Sequence, residues 1–212
     1  MATVFLDLDG TLVDPKPGIT QSVQYTLQQL GLPTPHADDL EWVIGPALVE
    51  SFRSLGAKNP AKAMEIYRAR YSDFGLFQAR LYTGISGVLE TLFNLDCQLC
   101  LATAKPHVYA RRITAHFGVS RFLEHEFGPE LDGTRSNKGT LLVHALNRLQ
   151  VLPENSVMVG DRCYDVDAAT QVGMRSIGVQ WGYGTPEELS GATVVCPHPK
   201  ALVQQIRDLL DI

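Results

Sequence analysis

Asp7 and Asp9 stand two residues apart at the end of a short apolar run, and Gly10 and Thr11 follow at once. Far along the chain a second acidic pair, Asp161 and Asp165, follows another apolar run and Gly160. Thr103 ends a third apolar run, and Lys138 opens an amphipathic stretch. Each residue type has a chemistry. A carboxylate can attack phosphorus in line and form an aspartyl phosphate. A second carboxylate two residues on, past a small bend, can protonate the leaving oxygen and later activate water. Positioned acid–base help of that kind is worth roughly 10²–10⁴-fold. A threonine hydroxyl and backbone N–H groups near Gly10 can bind phosphoryl oxygens.

Asp7, Asp9, Asp161 and Asp165 would repel one another if they met. At an effective dielectric of about 20, each pair at 4 Å costs on the order of 4 kcal/mol. A hard cation relieves that, and an all-oxygen set with no His or Cys nearby favours Mg²⁺ over zinc. A phosphate monoester would add up to two negative charges, which Mg²⁺ and the Lys138 ammonium are the candidates to neutralise. Asp161 can complete a metal shell. Asp165, four residues later, can support the metal through water or orient Lys138.

The hydrophobic pattern says how these residues could meet. Thr3 to Leu8 has the pattern of a buried strand. From about Ile19 to Leu81 the period is helical: Gln21 to Leu30, a helix starting at Asp38 with Asp38 or Asp39 as its N-cap, Pro46 to Leu55, and Pro60 to Phe74. After Gly84 strands and helices alternate. The strands are Gln98 to Thr103, Phe122 to Phe127, Ser156 to Val159, Arg175 to Val179 and Thr193 to Val195. The helices are Gly87 to Asn94, His107 to Phe117, Lys138 to Leu149, Val166 to Val172 and Lys200 to Leu210. Such alternation implies parallel βαβ units, an α/β fold with a doubly wound parallel sheet. Strand C-terminal ends then share one edge, where ligands bind. The helical block between the first and second strands is too long for a crossover loop. We expect a core of residues 1–14 and 83–212 and an inserted α-helical cap domain of residues 15–82.

The chain has 212 residues, 45% hydrophobic and 19% charged, with a net charge of −5. Its size fits one core with an inserted subdomain. The acidic balance gives no basic face for nucleic acid, so a polyanionic substrate must meet a local cation. No apolar run approaches the roughly 20 residues of a membrane span, and the first residues lack a signal-peptide pattern. A cytoplasmic monomer with neither membrane nor nucleic-acid partners is expected. Cys97 and Cys100 have CxxC spacing without a second ligand pair and are expected to be buried small hydrophobes.

The motifs together resemble the haloacid dehalogenase (HAD) superfamily. Asp7-Leu-Asp-Gly-Thr-Leu12 matches its first motif; Thr103, Lys138 and Gly160-Asp-Arg-Cys-Tyr-Asp165 stand as the second, third and fourth, in order, over nearly the whole chain. The resemblance implies a Rossmann-like core with Asp7 as nucleophile and Asp9 as general acid/base. It implies Thr103 and Lys138 as phosphoryl-binding residues. It also implies Mg²⁺ held by the Asp7 carboxylate, the Asp9 backbone carbonyl and Asp161, with Asp165 in the outer shell. The cap resembles the small α-helical type that closes over the site and excludes water. Asp14-Pro-Lys-Pro-Gly-Ile-Thr, Ile44-Gly-Pro, Glu130-Leu-Asp-Gly-Thr-Arg and Val179-Gln-Trp-Gly-Tyr-Gly resemble the phosphoglycolate phosphatase-like branch, which also holds proteins called 5′-nucleotidase. Ala104 departs from that pattern, standing where a polar residue is common.

The expectation is a Mg²⁺-dependent phosphomonoesterase acting on a small cytosolic phosphorylated metabolite, with phosphoglycolate first and a 5′-nucleotide next. A phosphomutase is an alternative. A dehalogenase needs neither a metal nor an acid at position 9, and Asp9 with the Asp161/Asp165 pair argues against it. A phospho-accepting signalling or binding module is the non-enzyme alternative; a receiver domain is about half as long and has no cap. Lys105 and Arg135 are possible substitutes for Lys138. Tyr25, Trp42, Phe52, Tyr67 and Tyr71 are expected mostly in the cap core, and Gly182 and Gly184, beside Trp181 and Tyr183, in a plain turn in preference to a loop near the site.

Overall fold

The computed structural model describes residues 2–212. They divide into two compact units, one of residues through Val13 with Leu81–Ile212, the other Asp14–Arg80.

The larger unit is built on a six-stranded sheet. Its strands are β1 (Thr3–Leu6), β4 (Gln98–Ala102), β5 (His125–Phe127), β6 (Ser156–Gly160), β7 (Arg175–Val179) and β8 (Val194–Cys196). They lie in the order β5-β4-β1-β6-β7-β8, every neighbouring pair parallel. The doubly wound expectation is borne out. Two further short strands, β2 (Val13–Asp14) and β3 (Arg80–Leu81), pair with each other where the chain passes between the units.

The central strand is apolar on both faces because both are covered. Phe5 lies level with Cys100 and Met158. These three pack with Leu142, Ala145 and Leu146 of helix α6 (Lys138–Leu149) and with Ala168 and Ala169 of helix α7 (Cys163–Gln171). By strand alternation Val4, Leu6, Leu99, Leu101, Val157 and Val159, all fully buried, face the other side. There α4 (Ile85–Asn94) touches β4, α8 (Pro199–Leu210) touches β6, β7 and β8, and the two helices meet. The remaining helix, α5 (His107–His116), packs on β5. Cys97 and Cys100 are buried free thiols, as their strand setting requires.

The smaller unit is helical: α1 (Lys16–Gln29), a 3₁₀ turn at Asp38–Val43, α2 (Leu48–Ser54), α3 (Pro60–Arg70) and a π-helical turn at Tyr71–Gly75. Phe52 meets Tyr67 edge-on at 5.9 Å, and Tyr67 stacks on Tyr71 at 5.3 Å. Gly18 of α1 is forced by close approach, since a Cβ there would stand 2.1 Å from the Gly75 carbonyl oxygen.

Several boundaries differ from the sequence pattern, each for a local reason. Helix α1 begins at Lys16, because Pro17 suits a first helical turn, where a missing N–H costs nothing. Asp38 does not cap its helix; Ala37 holds that position, and the Asp38 carboxylate instead meets Lys16 Nζ at 2.5 Å, beside Glu41 at the same distance. Tyr25 and Trp42 are 39% and 44% exposed, so only Phe52, Tyr67 and Tyr71 of the five aromatics belong to the core. Helix α7 starts at Cys163 rather than Val166, which places Asp165 in its first turn.

Candidate active site

Parallel pairing brings the acidic motifs to one edge. Continuing the β1 register, Asp7 comes level with Ala102 of β4 and Gly160 of β6, so Thr103 and Asp161 each lie one residue beyond it. The Asp7 N–H still donates to the Val159 carbonyl at 2.9 Å. The chain then turns sharply, with the N–H groups of Leu12 and Val13 donating to the Leu8 carbonyl at 2.9 and 3.0 Å. Gly10 takes φ +81° in that turn, and a Cβ on it would lie 2.1 Å from Asp161 Oδ2. Glycine is required twice there, for the dihedral and for the space.

Asp7, Asp161 and Asp165 are buried and offer carboxylate oxygens all within 4.8 Å of one another. Lys138, first residue of α6, reaches this cluster and follows the Asn137 cap, whose side chain accepts the Thr140 N–H at 3.0 Å. Its Nζ lies 3.0 Å from Asp7 Oδ1, an ion contact without hydrogen-bond alignment, and makes a close hydrogen bond to Asp165 Oδ1. The other oxygen of Asp165 accepts the Arg162 N–H at 3.0 Å and so caps α7. Asp161 Oδ2 accepts the Tyr183 N–H at 2.8 Å, and its Oδ1 accepts the Thr11 hydroxyl at 3.4 Å.

Asp9 goes elsewhere. Its Oδ2 lies 2.6 Å from Lys105 Nζ, and its Oδ1 is buried without a hydrogen-bond partner. Thr103 is buried, donates its N–H to the Phe127 carbonyl at 3.1 Å, and accepts the Lys105 N–H on its hydroxyl at 3.2 Å. The structure thus joins Asp7, Asp161, Asp165 and Lys138 directly, and links Asp9 to Thr103 through Lys105.

Burial dominates the electrostatics. Burial first, then the Asp165 and Asp7 charges, push the Asp161 carboxyl up to about 8. Burial also raises Asp165, against the pull of Lys138, and raises Asp9, against the pull of Lys105. Burial alone would lower Lys138, but Asp165 and Asp7 reverse that and hold it well above the ordinary lysine range.

Two parts of this edge were only second choices from sequence. Lys105 counted only as a substitute for Lys138, and its place two residues after Thr103 was the available signal. The Gly182–Gly184 segment is not a plain turn. A Cβ on Gly182 would lie 2.3 Å from Asp161 Cβ, and one on Gly184 1.8 Å from the Asp161 carbonyl oxygen. Trp181 Nε1 donates to the Thr11 carbonyl at 3.0 Å, so this loop clasps both the Asp161 segment and the turn after Asp9. Its two glycines interleaved with Trp181 and Tyr183 were the hint.

A doubly wound parallel sheet with a buried carboxylate–lysine centre at its C-terminal edge defines an α/β enzyme of the switch-point kind. The chain belongs to the haloacid dehalogenase-like hydrolases: that family model matches residues 4–179. It is a hydrolase of the phosphatase class within that family. A 5′-nucleotidase of Pseudomonas aeruginosa is 41% identical over 88% of this chain and 86% of its own length. The tyrosine-protein kinase PtkA of Mycobacterium tuberculosis is 37% identical over 99% of this chain and 72% of its own. A solved structure described as a "predicted phosphatase" from Clostridium acetobutylicum superposes with a TM-score of 0.90, at 31% identity and full coverage of both chains.

Proposed function

We propose that the protein is a Mg²⁺-dependent phosphomonoesterase that works through a phosphoryl group carried on Asp7, acting as a single chain on a small cytosolic ester. The carrying observation is the buried Asp7–Asp161–Asp165 cluster with Lys138 inside it. The cluster fits a hard divalent cation. Its donors are all carboxylate oxygens, and four carboxylates against the two ammonium groups of Lys105 and Lys138 leave two negative charges unmatched. Burial first, and then the Asp165 and Asp7 charges, raise the Asp161 carboxyl to about 8, the direction expected where a carboxylate lacks a cation.

Asp7 and Asp161 would hold the ion by their carboxylates, with the Asp9 backbone carbonyl, and Asp165 would stand behind them. When bound, the ion supplies charge neutralisation for the phosphoryl oxygens. The chain's own groups do the rest. One Asp7 oxygen attacks phosphorus in line. Asp9 gives a proton to the leaving oxygen and then takes one from the attacking water. Lys138 and the Thr103 hydroxyl hold phosphoryl oxygens, and Asp165 fixes the Lys138 ammonium in reach of Asp7. The residues of the Asp14–Arg80 unit act as a cap that chooses the substrate.

For substrate we favour a nucleoside 5′-monophosphate over phosphoglycolate, because the relative named 5′-nucleotidase is 41% identical. A second reading, phosphoryl transfer to protein tyrosine, is favoured by the 37% identity to a tyrosine-protein kinase. One experiment tests these. Phosphate release is measured over nucleoside monophosphates, phosphoglycolate and sugar phosphates, with Mg²⁺ and with EDTA, beside Asp7→Asn. Mg²⁺-dependent release that is lost in Asp7→Asn is expected. Equal rates in the variant would remove Asp7 as nucleophile. Absence of release, with labelling of a tyrosine peptide from a nucleoside triphosphate, would move the assignment to the second reading.

A further inference from the structure

Asp9 is the one carboxylate of the four that stands outside the Asp7–Asp161–Asp165 cluster. Lys105 holds it there. The two side chains are 5% and 14% exposed, with Nζ 2.6 Å from Asp9 Oδ2. Lys105 is itself fixed by the backbone. Its N–H donates to the Thr103 hydroxyl oxygen at 3.2 Å, and its carbonyl oxygen lies so near Gly128 that a Cβ there would stand 2.8 Å away. An ammonium has only donors, so the carboxylate oxygen it holds can only accept. A proton on Asp9 therefore belongs on Oδ1, the oxygen that is buried and has no hydrogen-bond partner.

We propose that Lys105 is a positioning residue for the acid–base carboxylate: it fixes Asp9 with Oδ1 as the proton-carrying oxygen and stabilises the carboxylate left when that proton departs. This inference rests on the phosphatase reading above. In the first half-reaction an Asp7 oxygen bonds to phosphorus while the bond from phosphorus to the leaving oxygen breaks. The electron pair of that bond stays on the leaving oxygen, which takes the proton from Asp9 Oδ1. Asp9 becomes anionic beside an ammonium already in contact with it, so charge develops where a fixed cation waits. In the second half Asp9 Oδ1 takes a proton from water as the water oxygen bonds to phosphorus and the Asp7–phosphorus bond breaks. Both carboxylates return to their starting states.

The benefit depends on how much the leaving oxygen needs a proton. An alkoxide needs one, whereas p-nitrophenolate leaves without it. A merely structural lysine would affect both substrates alike. The test compares kcat/KM, which reports the first phosphoryl transfer, for p-nitrophenyl phosphate and an alkyl ester such as adenosine 5′-monophosphate. Lys105→Met should lose on the order of 10²-fold on the alkyl ester, at the lower end of positioned acid catalysis, and less than about threefold on the aryl ester. Lys105→Arg, which keeps a donor cation, should recover most of the alkyl rate. Retained aryl turnover shows that the variant has folded; if Lys105→Met does not fold, Lys105→Gln carries the same comparison. Equal loss on the two esters, or loss on neither, would overturn the assignment. Wild-type protein that hydrolyses neither ester would instead refute the phosphatase reading itself.

Discussion

Magnesium should raise the melting temperature far more at pH 8 than at pH 5, and Asp161→Asn should abolish that difference. Asp161 is 1% exposed, and burial followed by the Asp165 and Asp7 charges lifts its carboxyl from 3.8 to about 8. The sign follows from linkage. A carboxyl that holds its proton more tightly in the folded state than in the unfolded one adds stability at low pH. That stability is lost as pH rises from the unfolded value near 4 to the folded value near 8. The gap is about four pH units, and at roughly 1.4 kcal/mol per unit the loss has an upper bound of about 6 kcal/mol. Below pH 8 a cation must displace that proton, so its apparent affinity should fall about tenfold for each unit of acidification.

Those figures set the assay. At a Mg²⁺ concentration about 100 times its dissociation constant at pH 8, the ion stabilises the fold by about 2.7 kcal/mol. For a chain of this size that is roughly 5–10 °C. At pH 5 the same concentration lies below the weakened dissociation constant, and the gain should be under about 1 °C. Differential scanning fluorimetry in EDTA and in Mg²⁺ at both pH values reads this without any substrate. In EDTA at pH 8, Asp161→Asn should melt above the wild type, because a buried and repelled charge has gone. Equal Mg²⁺ shifts at the two pH values, or a variant that keeps the pH-dependent shift, would refute the reasoning.

Two further expectations follow from the same contacts. Lys138→Ala leaves Asp7 and Asp165 buried without their cation, and breaking such a pair costs about 3–5 kcal/mol, which urea unfolding would register alongside lost turnover. Stability unchanged within about 1 kcal/mol would mean that Lys138 is not their counter-ion. Gly182→Ala places a Cβ 2.3 Å from Asp161 Cβ and 2.4 Å from the Gly10 carbonyl oxygen, so Asp161 must move. Mg²⁺ affinity by titration calorimetry should fall about 10–100-fold with the fold retained, and an unchanged affinity would detach this loop from the site.

Much of the sheet was legible because parallel strands buried on both faces advertise themselves as apolar runs. Val4, Phe5 and Leu6 have no polar face to confuse the period, and the same holds for Val157, Met158 and Val159. The acidic edge was legible for a related reason: a carboxylate directly after such a run is costly to bury without a partner, and the two acidic pairs taken together point to one edge. What sequence could not supply was partner choice among groups that share the edge. Lys105 and Lys138 are both lysines beside predicted strand–helix junctions, and nothing in their spacing says which meets Asp9 and which meets Asp7. That choice depends on the turn after Thr103 and on the start of α6, two backbone details of about one residue each. Two of the five aromatic residues, Tyr25 and Trp42, fall outside the core for the opposite reason. Tyr25 and Trp42 sit at helical spacing, yet period alone does not say which stripe faces inward once a helix is short and its neighbours are unknown.

The charge pattern gives the two lysines different carboxylate partners. With Lys138 alone, Asp9 would be a fourth repelling carboxylate at the edge where Asp7, Asp161 and Asp165 already crowd. Lys105 removes it from that crowd at 2.6 Å and leaves one of its oxygens unpartnered. The two aspartates of a single three-residue motif thereby acquire different surroundings, one in a carboxylate cluster around Lys138 and one held by the Lys105 ammonium. Two chemically identical groups placed two residues apart could then serve as nucleophile and as proton carrier, because the lysines that give them different surroundings come from the turn after β4 and from the start of α6 rather than from the motif itself.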